Sequence, residues 1–232
     1  MTITSWADLA HCAAECADGR WIFRGENSER YDLKPKAGRV GQHKHAPRKR
    51  PHEVAHERAA LELFKRQARP YLLRSPSSEI EWLAIAQHHG MSTRLLDWTE
   101  GILAAAFFAV EAAGTQGNAV IYGVHRLREI SKTDQKRPFN AKTPGIYRPP
   151  HIASRIPAQR SVFTLHPNPT EAFAPKGLRK WLIAEGACVE IKRILDACGI
   201  NDSSLFPDLD GLSRYLGWRY KWGKFENPPL HS

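Results

Sequence analysis

The sequence has no apolar stretch long enough to cross a membrane. Its most apolar run covers residues 102–110 and lies between Glu100 and Glu111, whereas a membrane-spanning helix needs about 20 apolar residues. The first residues also lack the basic end and apolar run of a signal peptide. We therefore expect no membrane partner and a cytoplasmic location.

Cysteine is scarce, with 4 residues in 232. Cys12 and Cys16 are one helical turn apart, which is not the spacing of a zinc-binding motif. The sequence also lacks the glycine-rich phosphate-binding loops, the GxSxG motif of hydrolases and the HExxH motif of zinc enzymes. We therefore expect free thiols, no metal site and none of the commonest nucleotide-binding motifs.

Positive charge, by contrast, is abundant. Lys and Arg number 34 against 24 Asp and Glu, which gives a formal net charge of +10. Residues 33–52 contain no acidic residue, so we predict a basic loop there. Such a loop suits a polyanion such as nucleic acid, and it suits plain solubility equally well. The candidate nucleic-acid contacts in this loop are Lys44, Arg48, Lys49 and Arg50.

Hydrophobic periodicity predicts helices and strands without a regular strand–helix–strand rhythm. Helices are expected at residues 5–18, 53–69, 78–89, 100–113 and 188–198, and from residue 207 onward. Strands are expected at residues 20–24, 93–98, 118–124, 160–166 and 178–184, and residues 125–154 are expected to be irregular. No repeat and no linker divides the chain, so we predict one α+β domain over residues 1–232.

The residue pair Arg24-Gly25 lies at the end of the first long strand predicted. A guanidinium binds phosphate bidentately, and a glycine lets a ligand approach the backbone. The alternative is that Arg24 pairs with Asp97 and joins two segments of the chain. Both interpretations remain open, because an ion pair with Asp97 would also hold the Arg24 guanidinium in one orientation for a ligand.

Several motifs resemble those of the FRG family in order and spacing. The resemblance extends from residue 21 to about residue 216 and implies one FRG-like domain. The motifs that carry it are Phe23-Arg24-Gly25, Gln87-His88-His89-Gly90, the run from Thr93 to Thr99, Phe107-Phe108-Ala109, Gln159 with Phe163-Thr164, and the run from Leu205 to Leu212.

The order of these parts is also similar, more distantly, to that of ADP-ribosyltransferases. This resemblance implies a mixed, split β-sheet with flanking helices and NAD as the substrate. The residues it suggests for NAD binding are Arg24, Gly25, Thr93, Arg94 and Trp98. The residues it suggests for catalysis are His88, Gln159 and a carboxylate, either Glu26 or Glu100.

Purely structural roles are an alternative for several of these side chains. His88 is suited to cap a helix end, and Trp98 is suited to pack beside a core helix instead of stacking on a base or a nicotinamide ring.

We therefore keep two hypotheses about the function. The first is an NAD-dependent ADP-ribosyltransferase or NAD glycohydrolase, with nucleic acid as a possible acceptor and a toxin or phage-defence role. The second is a non-catalytic nucleic-acid-binding module.

Overall fold

The computed structural model describes residues 1–39, 53–72, 74–111, 117–150 and 155–221. The predicted nucleic-acid contacts Lys44, Arg48, Lys49 and Arg50 lie outside these ranges. None of the helices in the described ranges has both the length and the apolar character needed to span a bilayer.

A mixed sheet of seven strands forms the centre of the fold, in the spatial order β1-β7-β4-β2-β3-β6-β5. Only β1 and β7 pair in parallel, and all other neighbours are antiparallel. The α+β class predicted from the sequence is therefore confirmed. The strands are β1 (Thr2–Ile3), β2 (Trp21–Glu26), β3 (Leu95–Thr99), β4 (Ala119–His125), β5 (Gly145–Tyr147), β6 (Ser161–Leu165) and β7 (Arg179–Ile183).

Helices flank this sheet, and local caps account for several of their starts. Ser5 and Ser78 each accept a hydrogen bond from a backbone N–H of the first helical turn, which satisfies a donor that has no partner within the helix. The helices are α1 (Trp6–Glu15), α2 (Val54–Ala68), α3 (Glu79–His88), α4 (Ile102–Val110), α5 (Lys132–Lys136), α6 (Arg155–Gln159), α7 (Glu185–Ala197), α8 (Asp202–Leu205) and α9 (Leu209–Lys221).

The sheet is divided near its middle, where β2 and β3 share a single register pair, Phe23 with Thr99. On one face, a first core packs α1, α4 and α7 against β1, β7, β4 and β2. On the same face, a second core packs α2 and α3 against β3, β6 and β5. A third core covers the opposite face and joins residues from both halves, including Ile22, Leu96 and Val120.

Three predictions about secondary structure differ from the structure. The strand expected to end at residue 98 ends at Thr99, and α4, expected from residue 100, begins at Ile102 with Gly101 in the cap position. Residues 125–154 are not all irregular, because α5 and β5 lie within them. The third concerns α9, which starts at Leu209, not at residue 207. Leu209, Leu212 and Leu216, which share one face of this helix, are exposed.

Candidate functional site

A cleft of about 380 Å³ lies where β2 and β3 diverge, between the helices of the first core and those of the second. Four phenylalanines contribute to its lining: Phe23, Phe108, Phe163 and Phe206. Its charged and polar lining residues include Arg24, Glu26, His88, Asp97, Glu111 and Gln159. Carboxylates thus outnumber guanidinium groups in a cleft that combines aromatic and polar walls.

Arg24 bridges the two diverging strands. Its Nη1 donates to the backbone oxygen of Asp97 at 2.8 Å, so a side chain binds a carbonyl of β3 beyond the last strand pair. Its Nε and Nη2 lie 2.8 and 2.6 Å from Oε1 of Glu26. Because each terminal nitrogen carries more than one hydrogen, Arg24 keeps donor capacity on both. The two interpretations of Arg24 are therefore geometrically compatible.

Gly25 lines the cleft, but the space around it gives a different reason for a glycine there. A Cβ at this position would lie 1.9 Å from the backbone oxygen of Ala105 and 2.6 Å from the backbone nitrogen of Ala109, both in α4. Real side chains do not tolerate such distances. The glycine is therefore required for the close packing of β2 on α4, whatever approaches it from the cleft.

A buried hydrogen-bond network joins the end of α3 to β3. Thr93 Oγ1 donates to Gln87 Oε1 at 2.6 Å, and Gln87 Nε2 donates to Asp97 Oδ2 at 2.9 Å and to Leu95 O at 3.2 Å. The network orients the Asp97 side chain toward the cleft. Thr93 itself is fully buried and does not line the cleft, so the structure does not place it where NAD binding was predicted.

Arg94, the second predicted phosphate ligand, is also fully buried. Its Nη2 and Nε bind Oε2 and Oε1 of Glu57 at 2.8 and 3.2 Å, and its guanidinium lies over the ring of Phe139 at 4.3 Å. A buried guanidinium whose charge is already balanced is closed to a ligand. The predicted cofactor role of Arg94 does not agree with this placement, and its role is to join α2 to β3.

Trp98 is buried in the third core, and its Nε1 donates to Thr164 Oγ1 at 2.9 Å. Thr164 Oγ1 in turn lies 2.8 Å from Nε2 of His166. Burial lowers the pKa of His166 to about 4, so this imidazole is neutral at ordinary pH. The indole therefore packs inside the protein, and only part of Trp98 borders the cleft.

His88 and Gln159 both line the cleft, as does Arg24. His88 is the last residue of α3, and its ring contacts that of His89 edge-on, with centroids 5.1 Å apart. The Gln159 amide is already bonded: Nε2 donates to Leu205 O at 3.0 Å, and Oε1 accepts from Ser161 Oγ at 3.1 Å. Gln159 thus ties α6 to α8 at the wall of the cleft.

Glu100, the predicted catalytic carboxylate, is not among the cleft-lining residues. Its Oε1 accepts from Arg148 Nε at 2.9 Å, and its Oε2 lies 3.8 Å from Nη2 of Arg160. Of the two carboxylates left open by the sequence, only Glu26 lies in the cleft. A further cleft residue, Glu111, directly follows the most apolar run of the sequence, and no sequence motif marks it.

Possible metal ligands do not cluster in the described part of the chain. No group of three or more His, Cys, Asp and Glu side chains there is arranged to hold a metal ion. The cysteines Cys12, Cys16, Cys188 and Cys198 are free thiols. Burial raises the pKa of Cys16 to about 11, so this thiol is protonated and unreactive at neutral pH.

One family model matches part of the chain. Residues 19–117 match the family model of the FRG domain. These residues include β2, α2, α3, β3 and α4, and therefore most of the cleft lining on both sides of the divided sheet. No curated protein matches the chain, and no solved structure matches it.

Proposed function

We propose that this chain, which carries an FRG domain over residues 19–117, binds NAD in the cleft and cleaves it as an ADP-ribosyltransferase or NAD glycohydrolase. The observation that carries the proposal is the position of Arg24, whose guanidinium lies 2.6 Å from the Glu26 carboxylate and 3.8 Å from the Asp97 carboxylate in the cleft at the division of the sheet. NAD supplies a pyrophosphate, a positively charged nicotinamide ring and a cleavable N-glycosidic bond.

Arg24 is the residue suited to the pyrophosphate. Glu26 and the Asp97 carbonyl fix the guanidinium before any ligand arrives, and this preorganisation lowers the entropy lost on binding. Donor capacity on both terminal nitrogens permits a two-pronged contact with phosphate oxygens. Because Thr93 and Arg94 are buried in internal contacts, phosphate binding depends on Arg24 in this proposal.

The other cleft groups suit the nicotinamide end of NAD. Carboxylates attract a cationic ring by Coulomb forces, and phenylalanine faces attract it through their quadrupoles. Glu26 is the better candidate to stabilise positive charge that develops on the ribose, because Glu100 lies outside the cleft lining. In this arrangement Gln159 holds the cleft wall, and His88, which also lines the cleft, is a candidate polar contact for the ribose or the acceptor.

Calorimetric titration of NAD, together with a nicotinamide-release assay, tests the proposal. Arg24→Ala is expected to weaken NAD binding by roughly 10- to 100-fold, the loss of a charge-assisted hydrogen-bond pair. The matched control is Arg193→Ala, which removes an exposed Arg on α7 with no ion pair among the described residues. Gln159→Ala is expected to reduce turnover more than binding, because it loosens the wall of the cleft.

The proposal fails if the wild-type protein neither binds NAD nor releases nicotinamide. It also fails if Arg24→Ala and Gln159→Ala both keep wild-type NAD turnover. Thermal melts of each variant separate loss of folding from loss of function, since Arg24 also bridges two strands.

The net charge of +10 favours a second candidate function, a nucleic-acid-binding module, and also favours nucleic acid as the acceptor of the first. Such binding would weaken steeply with added salt. A binding constant for single-stranded DNA or RNA that is flat between low and physiological salt would contradict both roles. A toxin or phage-defence effector would be a suitable setting for such an enzyme.

A further inference from the structure

Glu111 follows the last residue of α4 and lies on the wall between two cavities. It lines the cleft, and it also lines a second cavity of about 490 Å³. Phe108, three residues earlier and therefore on the same side of the helix, lines the cleft as well. The position of Glu111 thus gives its side chain access to the aromatic part of the cleft from the α4 side.

The Glu111 carboxylate differs from the other carboxylates of the cleft in its bonding. Glu26 is bound by Arg24, and Asp97 accepts from Gln87. Within the ranges that the structure describes, no hydrogen bond or ion pair to the Glu111 carboxylate is formed, and only its backbone oxygen is bound, by Lys192 Nζ at 2.6 Å. A half-buried carboxylate without a fixed partner is able to exchange a proton with a ligand.

Three charged groups lie near Glu111 and line the second cavity with it: Lys192 on α7, Asp202 on α8 and Arg214 on α9. Burial raises the pKa of Glu111, and the Asp202 charge raises it further, while Lys192 and Arg214 act in the opposite direction. Asp202 itself is bound by Arg214 Nε at 2.9 Å. The end of a helix also disfavours a negative charge. Glu111 is therefore a stronger base than an exposed carboxylate.

We propose that Glu111 is the general base that activates the attacking nucleophile, an inference that rests on the proposed cleavage of NAD. The bond between the ribose carbon and the nicotinamide nitrogen breaks, and its electron pair stays on the nicotinamide. A water or acceptor hydroxyl forms the new carbon–oxygen bond, and its proton passes to the Glu111 carboxylate. The proton then leaves to solvent through the second cavity, so no oxidant or metal is needed.

The test compares Glu111→Gln with Glu190→Gln, a control that removes an exposed carboxylate on α7. We expect Glu111→Gln to weaken NAD binding by no more than about 10-fold by calorimetry, through the loss of one cleft charge, and to release nicotinamide roughly 10²- to 10⁴-fold more slowly. Glu111→Asp, which keeps a carboxylate on a shorter side chain, is expected to recover part of that rate. Glu190→Gln is expected to match the wild type in both measurements.

A second readout does not depend on turnover. In protein with ¹³C-labelled glutamate, the Glu111 carboxyl, assigned by its loss in Glu111→Gln, is expected to titrate above the ordinary value of 4.5, and the same ionisation should set the acidic limb of the pH–rate profile.

The outcomes separate the two proposals. If the wild type releases no nicotinamide, the proposed function fails and this inference fails with it. If the wild type cleaves NAD but Glu111→Gln keeps at least about a third of the rate, or if the carboxyl titrates at or below 4.5, only the role of Glu111 is overturned.

Discussion

Arg94 and Glu57 form a two-pronged ion pair inside the protein, with contacts of 2.8 and 3.2 Å between residues 37 positions apart. Their side chains are 0% and 3% exposed. Because both charges are removed from water, each depends on the other for compensation. The pair fixes α2 against the start of β3, one of the two strands that border the cleft.

Glu57→Gln is expected to destabilise the protein by about 3–5 kcal/mol, because it leaves the buried Arg94 charge without a counter-ion. Chemical denaturation measures the loss. Glu62→Gln on the same helix is the control, since the Glu62 side chain is 61% exposed and its pair with Lys65 contributes about 1 kcal/mol or less. Equal effects of the two changes would contradict the assignment of Arg94 to a structural role.

Gly25→Ala is expected to disrupt folding or to lower the melting temperature strongly, because the new methyl group would collide with the backbone of α4. Gly186→Ala is the matched control. Gly186 lies in the first turn of α7, where a Cβ meets no atom within 4 Å, so the change should be neutral or stabilise by up to about 1 kcal/mol. A stable Gly25→Ala protein with altered NAD binding alone would instead favour the ligand as the reason for the glycine.

His166 is expected to make stability depend on pH. Its pKa is about 4 in the folded protein against 6.5 for the free side chain, so the unfolded chain takes up the proton first as the pH falls. The stabilisation is fully present above pH 6.5 and is lost progressively down to pH 4, by up to about 3 kcal/mol. His166→Gln should flatten this part of the curve.

The comparison with the wild type isolates this effect, because carboxylates with lowered pKa, such as Asp8 and Asp18, also lose stabilisation in acid. His11→Gln, which removes an imidazole that is 66% exposed, should leave the curve of free energy of unfolding against pH nearly unchanged. Parallel curves for wild type and His166→Gln would show that His166 is not buried in its neutral form.

Thr93→Val is expected to cost about 1–3 kcal/mol, because it leaves the buried Gln87 Oε1 without its donor. A double-mutant cycle with Gln87→Leu should give a coupling energy of about 0.5–3 kcal/mol. Thr133→Val, at an exposed position of α5, is the control. No coupling between Thr93 and Gln87 would mean that the network does not hold β3 against α3.

Elements with clear periodicity are those that could be predicted from the sequence. The strands β2, β4, β6 and β7 and the helices α1, α2, α3 and α7 lie within a few residues of their predicted ranges, because short apolar or alternating runs mark the strands and apolar residues at helical spacing mark the helices. The strand β5 has three residues and no such pattern. The apolar stripe of α9 is real, but periodicity indicates only that residues share a face and not that the face is covered.

Three of the predicted site residues, Arg24, His88 and Gln159, line one cleft. The burial of Arg94 could not be predicted, because its partner Glu57 lies on a separate helix and no local pattern links the two. Glu111 was missed since its surroundings come from α7, α8 and α9, which are distant in the chain. Pairings of this kind depend on tertiary packing, which a single sequence does not reveal.

Because β2 and β3 share only the register pair Phe23 with Thr99, little direct strand pairing joins the two halves of the sheet beside the cleft. The third core joins both halves from one face of the sheet. The first and second cores lie on the other face, one on each half. We therefore expect that a small rotation of one half of the sheet relative to the other would change the width of the cleft and leave the first and second cores intact. The hydrogen bond from Arg24 to the Asp97 carbonyl crosses the cleft opening, so Arg24→Ala removes a link between the two halves of the sheet as well as the proposed phosphate contact.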